Sequence, residues 1–152
     1  MKERFSALAL AGLTVPAMAQ PQVEAGAWES PDNGSGNGIR RLGFSNGSEA
    51  HYVLFMSCRT GEGWVSITQN EARRPDRSMT IEIGGFTINP PTRSGDEGVY
   101  GDWTEAMLPA DHPVFIGMSR GAPLVVNGRA YPVATFAEQR RVAAFSADCD
   151  EG

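Results

Sequence analysis

The chain has 152 residues, with 13 Lys and Arg against 18 Asp and Glu, for a formal net charge of −5 at pH 7. That length leaves room for one domain of ordinary size. An acidic chain without a basic tract is a poor ligand for nucleic acid, where phosphate contacts dominate affinity, and for anionic membrane surfaces.

Residues 1–19 read as a signal peptide. Met1 to Arg4 is a charged start, Phe5 to Val15 is apolar or small, and Ala17-Met18-Ala19 gives the small-x-small pattern of a cleavage site before Gln20. The apolar run is too short for a spanning helix. We expect no other membrane segment, and no cysteine follows the site to carry a lipid anchor. Taking one Lys, one Arg and one Glu from the 13 basic and 18 acidic residues leaves 11 and 17, a net charge of −6. Every basic residue after Ala19 is arginine, and Gly, Ala and Pro are abundant, which suggests a high-GC bacterial genome.

Residues 20–38 read as a flexible N-terminal segment, with a short strand over Ala27-Trp28-Glu29 before the turn-forming run Ser30 to Gly38. A single β-rich domain is then expected over 39–152, opening with a strand at Ile39–Phe44. His51 to Thr68 is the stretch around which the rest is arranged. Tyr52, Leu54, Met56 and Cys58 alternate with Val53, Phe55 and Ser57, both sets mostly apolar, as in a strand at the middle of a sheet. Thr60 to Gly63 turns the chain and Trp64 to Thr68 returns it.

A polar loop over Asn70–Arg77 precedes the alternation of Met79, Ile81 and Ile83, after which Gly84-Gly85 permits a bulge or bend. Phe86–Ile88 reads as a strand, Ser94–Gly98 as a loop, and Val99–Trp103 as a further strand. Asp111 is placed to cap a short helix with Pro113 in its first turn, Val114, Ile116 and Met118 for packing, and Gly121 as its stop. Asn127-Gly128 predicts a hairpin. Thr135 with Glu138 matches a capping box, so a helix from Phe136 is preferred over a strand at Arg141–Ser146. That helix places Val142, Phe145 and Cys149 on one face. Together these elements predict a mainly β, α+β fold: a small antiparallel β-sandwich or open barrel, with a short helix and a C-terminal helix packed on it.

Two cysteines in an exported chain predict a Cys58–Cys149 disulfide. No C-x-x-C motif suggests a redox pair. His51 and His112 lack cysteine or glutamate at ligand spacing, so no metal and no cofactor is expected. No G-x-S-x-G elbow or phosphate-binding loop occurs, and no catalytic residue is assigned. A binding surface has two candidate sources. One is the arginine loop Arg73, Arg74 and Arg77, since arginine clusters grip carboxylates or phosphates. The other is the acidic and aromatic group Asp96, Glu97, Tyr100, Asp102 and Trp103. Trp64 belongs with these aromatics, although aromatics on short strands are more often core.

The order signal peptide, strand ending in Cys58, glycine turn, Trp64 strand, then Val114 to Cys149 with Gly121, Leu124-Val125-Val126 and Phe136, resembles small periplasmic proteins of the invasion-associated locus B and type VI secretion-accessory kinds. The resemblance implies a non-enzymatic, disulfide-tied domain with an envelope accessory or binding role. A second likeness is to periplasmic inhibitors of C-type lysozymes, whose inhibitory loop carries S-G-x-x-Y. Here Ser94-Gly95-Asp96-Glu97-Gly98-Val99-Tyr100 has the residue types at another spacing.

The expectation is therefore a monomeric periplasmic or secreted domain that binds an envelope protein or cell-wall component. The alternatives are a protein inhibitor of lysozyme type or a small cell-wall hydrolase. The hydrolase would use the Asp96–Trp103 stretch as its site, as two carboxylates and aromatic platforms would require.

Overall fold

A computed structural model describes residues 19–31, 37–47, 52–71, 78–96 and 101–150. Two sheets pack face to face. The larger holds β2 (Ala27–Glu29), β3 (Ile39–Ser45), β4 (Leu54–Arg59), β5 (Trp64–Glu71), β9 (Asp102–Pro109) and β8 (Thr92–Asp96), in that order across the sheet. The smaller runs β1 (Gln22–Val23), β11 (Arg129–Tyr131), β10 (Leu124–Val126), β6 (Ile81–Ile83) and β7 (Phe86–Ile88). The pairings are antiparallel except β1 with β11. The fold is thus an α+β sandwich and not a closed barrel.

The period-two pattern does the sorting. On β4, Leu54, Met56 and Cys58 are buried while Phe55 and Ser57 are half-buried on the opposite face. Val65 and Ile67 of β5 and Ala106 and Leu108 of β9 continue the inner layer, met from the other sheet by Ile81, Leu124 and Val126. Trp28 stacks edge-on against Phe44, centroids 5.4 Å apart, and Phe44 against Tyr131 at 5.2 Å. Among the described residues Gln69, Thr104 and Glu138 are the buried polar side chains, and Gln69 links the two sheets. Its Nε2 donates to the Tyr131 hydroxyl at 3.1 Å, and its Oε1 accepts from Asn127 Nδ2 at 2.9 Å. Asn127 in turn accepts the Thr80 N–H at 2.8 Å. This chain of bonds ties β5 of one sheet to the β10–β11 turn of the other, and satisfaction of every member is what makes a buried polar network tolerable.

Several expectations are corrected here. The segment read as flexible contributes to both sheets: β1 pairs with β11, and the short strand expected at Ala27–Glu29 is β2, paired with β3 and carrying the fully buried Trp28. One large aromatic with a pocket to fill outweighs the sparse composition around it. Ser94–Asp96 lies in β8 and not in a loop. The strand expected at Val99–Trp103 instead begins at Asp102 and runs to Pro109; residues 97–100 lie outside the described set. β5 extends to Glu71. Gly84 and Gly85, at φ of 53° and 84°, make a two-residue hairpin turn between β6 and β7 rather than a bulge.

The first helix, α1 (Pro113–Ser119), is capped by His112 rather than Asp111. The imidazole Nδ1 accepts the Val114 N–H at 3.2 Å, and Pro113, having no N–H, occupies the position that needs no partner. Its buried residues are Val114, Phe115 and Met118, while Ile116 is exposed. At 100° per residue, alternate positions cannot share one face. The second helix, α2 (Phe136–Cys149), carries the full capping box: the Glu138 N–H donates to Thr135 Oγ1 at 3.2 Å and the Thr135 N–H donates to Glu138 Oε2 at 2.8 Å.

That second helix closes the molecule. The Glu138 carboxylate also accepts the Trp28 N–H at 2.9 Å, and Arg141 Nη1 donates to the Trp28 carbonyl at 3.0 Å. Both backbone groups that β2 turns away from β3 are therefore met by side chains, which removes an open sheet edge. At the other end of α2, the Cys149 carbonyl accepts the Gly63 N–H at 2.8 Å and the Asp148 carbonyl accepts the Gly61 N–H at 3.1 Å. Arg40 pairs with Asp148 at 3.0 Å. The Cys58–Cys149 disulfide, spanning 91 residues of sequence, is formed there.

Candidate binding face

With its inner face packed, the six-stranded sheet presents the alternate residues on its outer face. Register fixes their order. One row runs Gly43, Phe55, Thr68, Glu105, Arg93 across β3, β4, β5, β9 and β8. The next row runs Arg41, Ser57, Ser66, Met107. On the far side of the first row, Asn70, Trp103 and Gly95 lie abreast, and Trp64 sits at the opposite end of β5.

The apolar members are not hidden. Trp64 is 52% exposed and Met107 47%, with Phe55 and Trp103 half-buried beside them. Two shallow depressions result. One of about 360 Å³ is lined by Phe55, Thr68, Asn70 and Trp103; the other, of about 240 Å³, by Ile39, Arg59, Trp64, Ser66 and Met107. Arg93 and Glu105 line both.

Two glycines let aromatic rings lie flat on this face. A Cβ on Gly43 would stand 2.3 Å from the Tyr52 ring, and one on Gly95 would stand 2.6 Å from the Trp103 ring. Neither glycine has a left-handed backbone. What each position requires is the missing side chain, not conformational freedom.

At the centre, Glu105 accepts hydrogen bonds from Arg93 Nε and Ser66 Oγ, and its side chain is only 11% exposed. Burial raises its carboxyl pKa, but the bonds from Arg93 and Ser66 and the Arg93 charge outweigh it, and the net shift is downward. The hydrogen bond and charge of Glu105 raise the Arg93 pKa in turn. This pair is a fixed dipole with both partners ionised, so Glu105 has no proton to give near neutral pH. At the rim, burial and the neighbouring Glu29 raise the Tyr52 pKa, and Arg59 pairs with Glu62 at 3.6 Å.

Of the residues singled out on sequence, Trp103 lies in this face, and Asp102 adjoins it on β9. Asp96 is opposite Asp102 across the β8–β9 pair. Arg73, Arg74, Arg77, Glu97 and Tyr100 lie outside the described residues. Trp64, for which a core position is the commoner expectation, is on the surface. Arg93, Glu105, Ser66 and Met107 were not legible as a site. Their only common signal is cross-strand register, which needs the pairing of β5, β9 and β8 to be known. Among the described residues no group of three or more His, Cys, Asp or Glu side chains is placed to hold a metal ion, and no helix is long and apolar enough to cross a membrane.

Comparison with protein families, with curated proteins and with solved structures finds no match to this chain.

Proposed function

We propose that this protein is an exported bacterial envelope protein that acts without catalysis, as an accessory or binding domain, through the outer face of its larger sheet. The observation that carries the reading is the exposure of Trp64 and Met107 on a sheet face where Phe55, Trp103 and an ion pair are held in register beside them. Solvent-exposed aromatics grouped on one rigid surface mark a binding site more often than scattered apolar residues do.

Export rests on the N-terminal pattern ending at Ala19, and the Cys58–Cys149 bond suits an oxidising compartment. The partner is an envelope protein or a cell-wall component.

Export is tested by mass spectrometry of the chain recovered from the periplasm of a bacterial host: an N-terminus at Gln20 is expected. Full-length protein retained in the cytoplasm would end the envelope assignment.

A further inference from the structure

We infer that the ligand of the outer sheet face is a linear glycan, a chain of pyranose rings laid along β5 between Trp64 and Trp103. The inference rests on the binding reading above and adds the chemistry of what is bound. Trp64 opens β5 and Trp103 lies abreast of Asn70, six residues further along the strand. At about 3.4 Å per residue the two strand positions that carry the indoles are about 20 Å apart, the span of a short oligomer and not of a single small molecule.

Between them β5 carries Ser66 and Thr68 on the same face, with Asn70 level with Trp103; Ser66 already donates to Glu105 and Asn70 Nδ2 to the Tyr52 carbonyl, which leaves their oxygens as acceptors beside the Glu105 carboxylate and Arg93 guanidinium. Hydroxyl and amide side chains both donate and accept, as sugar hydroxyls do, and an ion pair presents one group of each kind in fixed geometry. A pyranose ring is amphipathic in the matching sense, with C–H groups on its faces and hydroxyls around its edge. An aromatic ring with a negative π-face is the surface against which such a C–H face stacks. The glycine beneath Trp103 keeps that ring flat on the strand instead of upright.

The other classes of occupant fit less well. Polyanions and anionic lipid surfaces need unpaired cations, whereas Arg93 is committed to Glu105 and Arg59 to Glu62 on a chain of net charge −5. A protein interface has an apolar, charge-depleted centre. Here the centre is an ion pair, with Phe55 and Met107 beside it and the two indoles at the ends.

The three tryptophans give the test its internal reference, because Trp28 is buried and Trp64 and Trp103 are on the face. The disulfide-bonded protein, labelled with ¹⁵N, is titrated with a β-1,4-linked N-acetylglucosamine hexamer and separately with a β-1,4-linked glucose hexamer. The indole N–H signals of Trp64 and Trp103 are expected to move while that of Trp28 stays. Trp64→Ala is expected to weaken binding about tenfold or more, equivalent to about 1.4 kcal/mol, with an unshifted Trp28 signal reporting an intact fold. Phe136→Ala, at an exposed aromatic on α2, is expected to leave binding unchanged.

If neither hexamer moves Trp64 or Trp103, or if Trp64→Ala leaves the affinity read from the Trp103 signal unchanged, the glycan inference is overturned. The same spectra with a glycan-free envelope protein fraction then separate the two readings. Broadening at Trp64 and Trp103 that Trp64→Ala removes would leave a protein-binding face, and unchanged spectra would remove the binding reading as well.

Discussion

Glu138 shows how much one side chain decides. Its carboxylate accepts the Trp28 N–H, the Thr135 N–H and the Thr135 hydroxyl, all at 2.8–2.9 Å. Burial raises its pKa, but those donors outweigh it and the net shift is downward. A carboxylate with a depressed folded-state pKa contributes stability that is fully present above its unfolded pKa of about 4.3 and is lost as pH falls through the folded value. Glu105 acts in the same direction. The protein is therefore expected to lose stability on acidification below about pH 4–5. Glu138→Gln should flatten that part of the curve and, by placing an amide N–H against backbone donors, cost about 1–3 kcal/mol at neutral pH. Chemical denaturation of both proteins between pH 3 and 7 checks this; parallel curves would remove Glu138 from the account. Gly95→Ala is the companion test on the outer face. The added methyl meets Trp103, so the Trp103 environment is expected to change, read by fluorescence, while the buried Trp28 does not.

At the scale of elements, α2 is the clearest case of local code agreeing with tertiary use. Thr135 and Glu138 announce the helix start, and Val142, Phe145 and Cys149 share its buried face, as their spacing requires. Thr135→Ala removes the acceptor for the Glu138 N–H and loosens the carboxylate that holds Trp28. A loss of about 1 kcal/mol is expected for the cap alone. A larger loss, measured by urea denaturation, would report the coupling of the helix end to β2. The strand β9 is the opposite case. Its inner face carries Thr104, Ala106 and Leu108, and its outer face Trp103, Glu105 and Met107. The bulkier apolar groups face outward, so hydrophobic alternation points to the wrong side or to none. The edge strand β8, with Arg93, Ser94 and Gly95, has no apolar pattern to read. β9 exists because β5 offers a long pairing edge, and β8 because β9 offers one in turn, not because their own composition demands it. The same inversion that hides β9 is what puts two large apolar side chains, Trp103 and Met107, on the outer face of the sheet.

For the molecule as a whole, the disulfide decides how firmly the sandwich is closed. In the chain-entropy account, a loop of this length removes roughly 4–5 kcal/mol of denatured-state freedom, against a typical net stability of about 5–15 kcal/mol. Replacing Cys58 and Cys149 together by alanine is expected to lower Tm by more than about 10 °C in calorimetry, and an unchanged Tm would show that α2 holds its place without the bond.

What was determined by the sequence alone is local or covalent. It comprises the β-rich class with two helices, the Asn127-Gly128 hairpin, the capped helix and the cysteine pair, because each rests on a turn, a cap, a period or a count read within a short window. Only the tertiary structure decided that Gln22–Val23 and Ala27–Glu29 join the two sheets, that 92–96 and 102–109 pair as strands, and that Trp64, Trp103, Arg93 and Glu105 share one face. Those are consequences of pairing between segments distant in the chain. A strand's register is set by the neighbour it finds, which no window of its own residues contains.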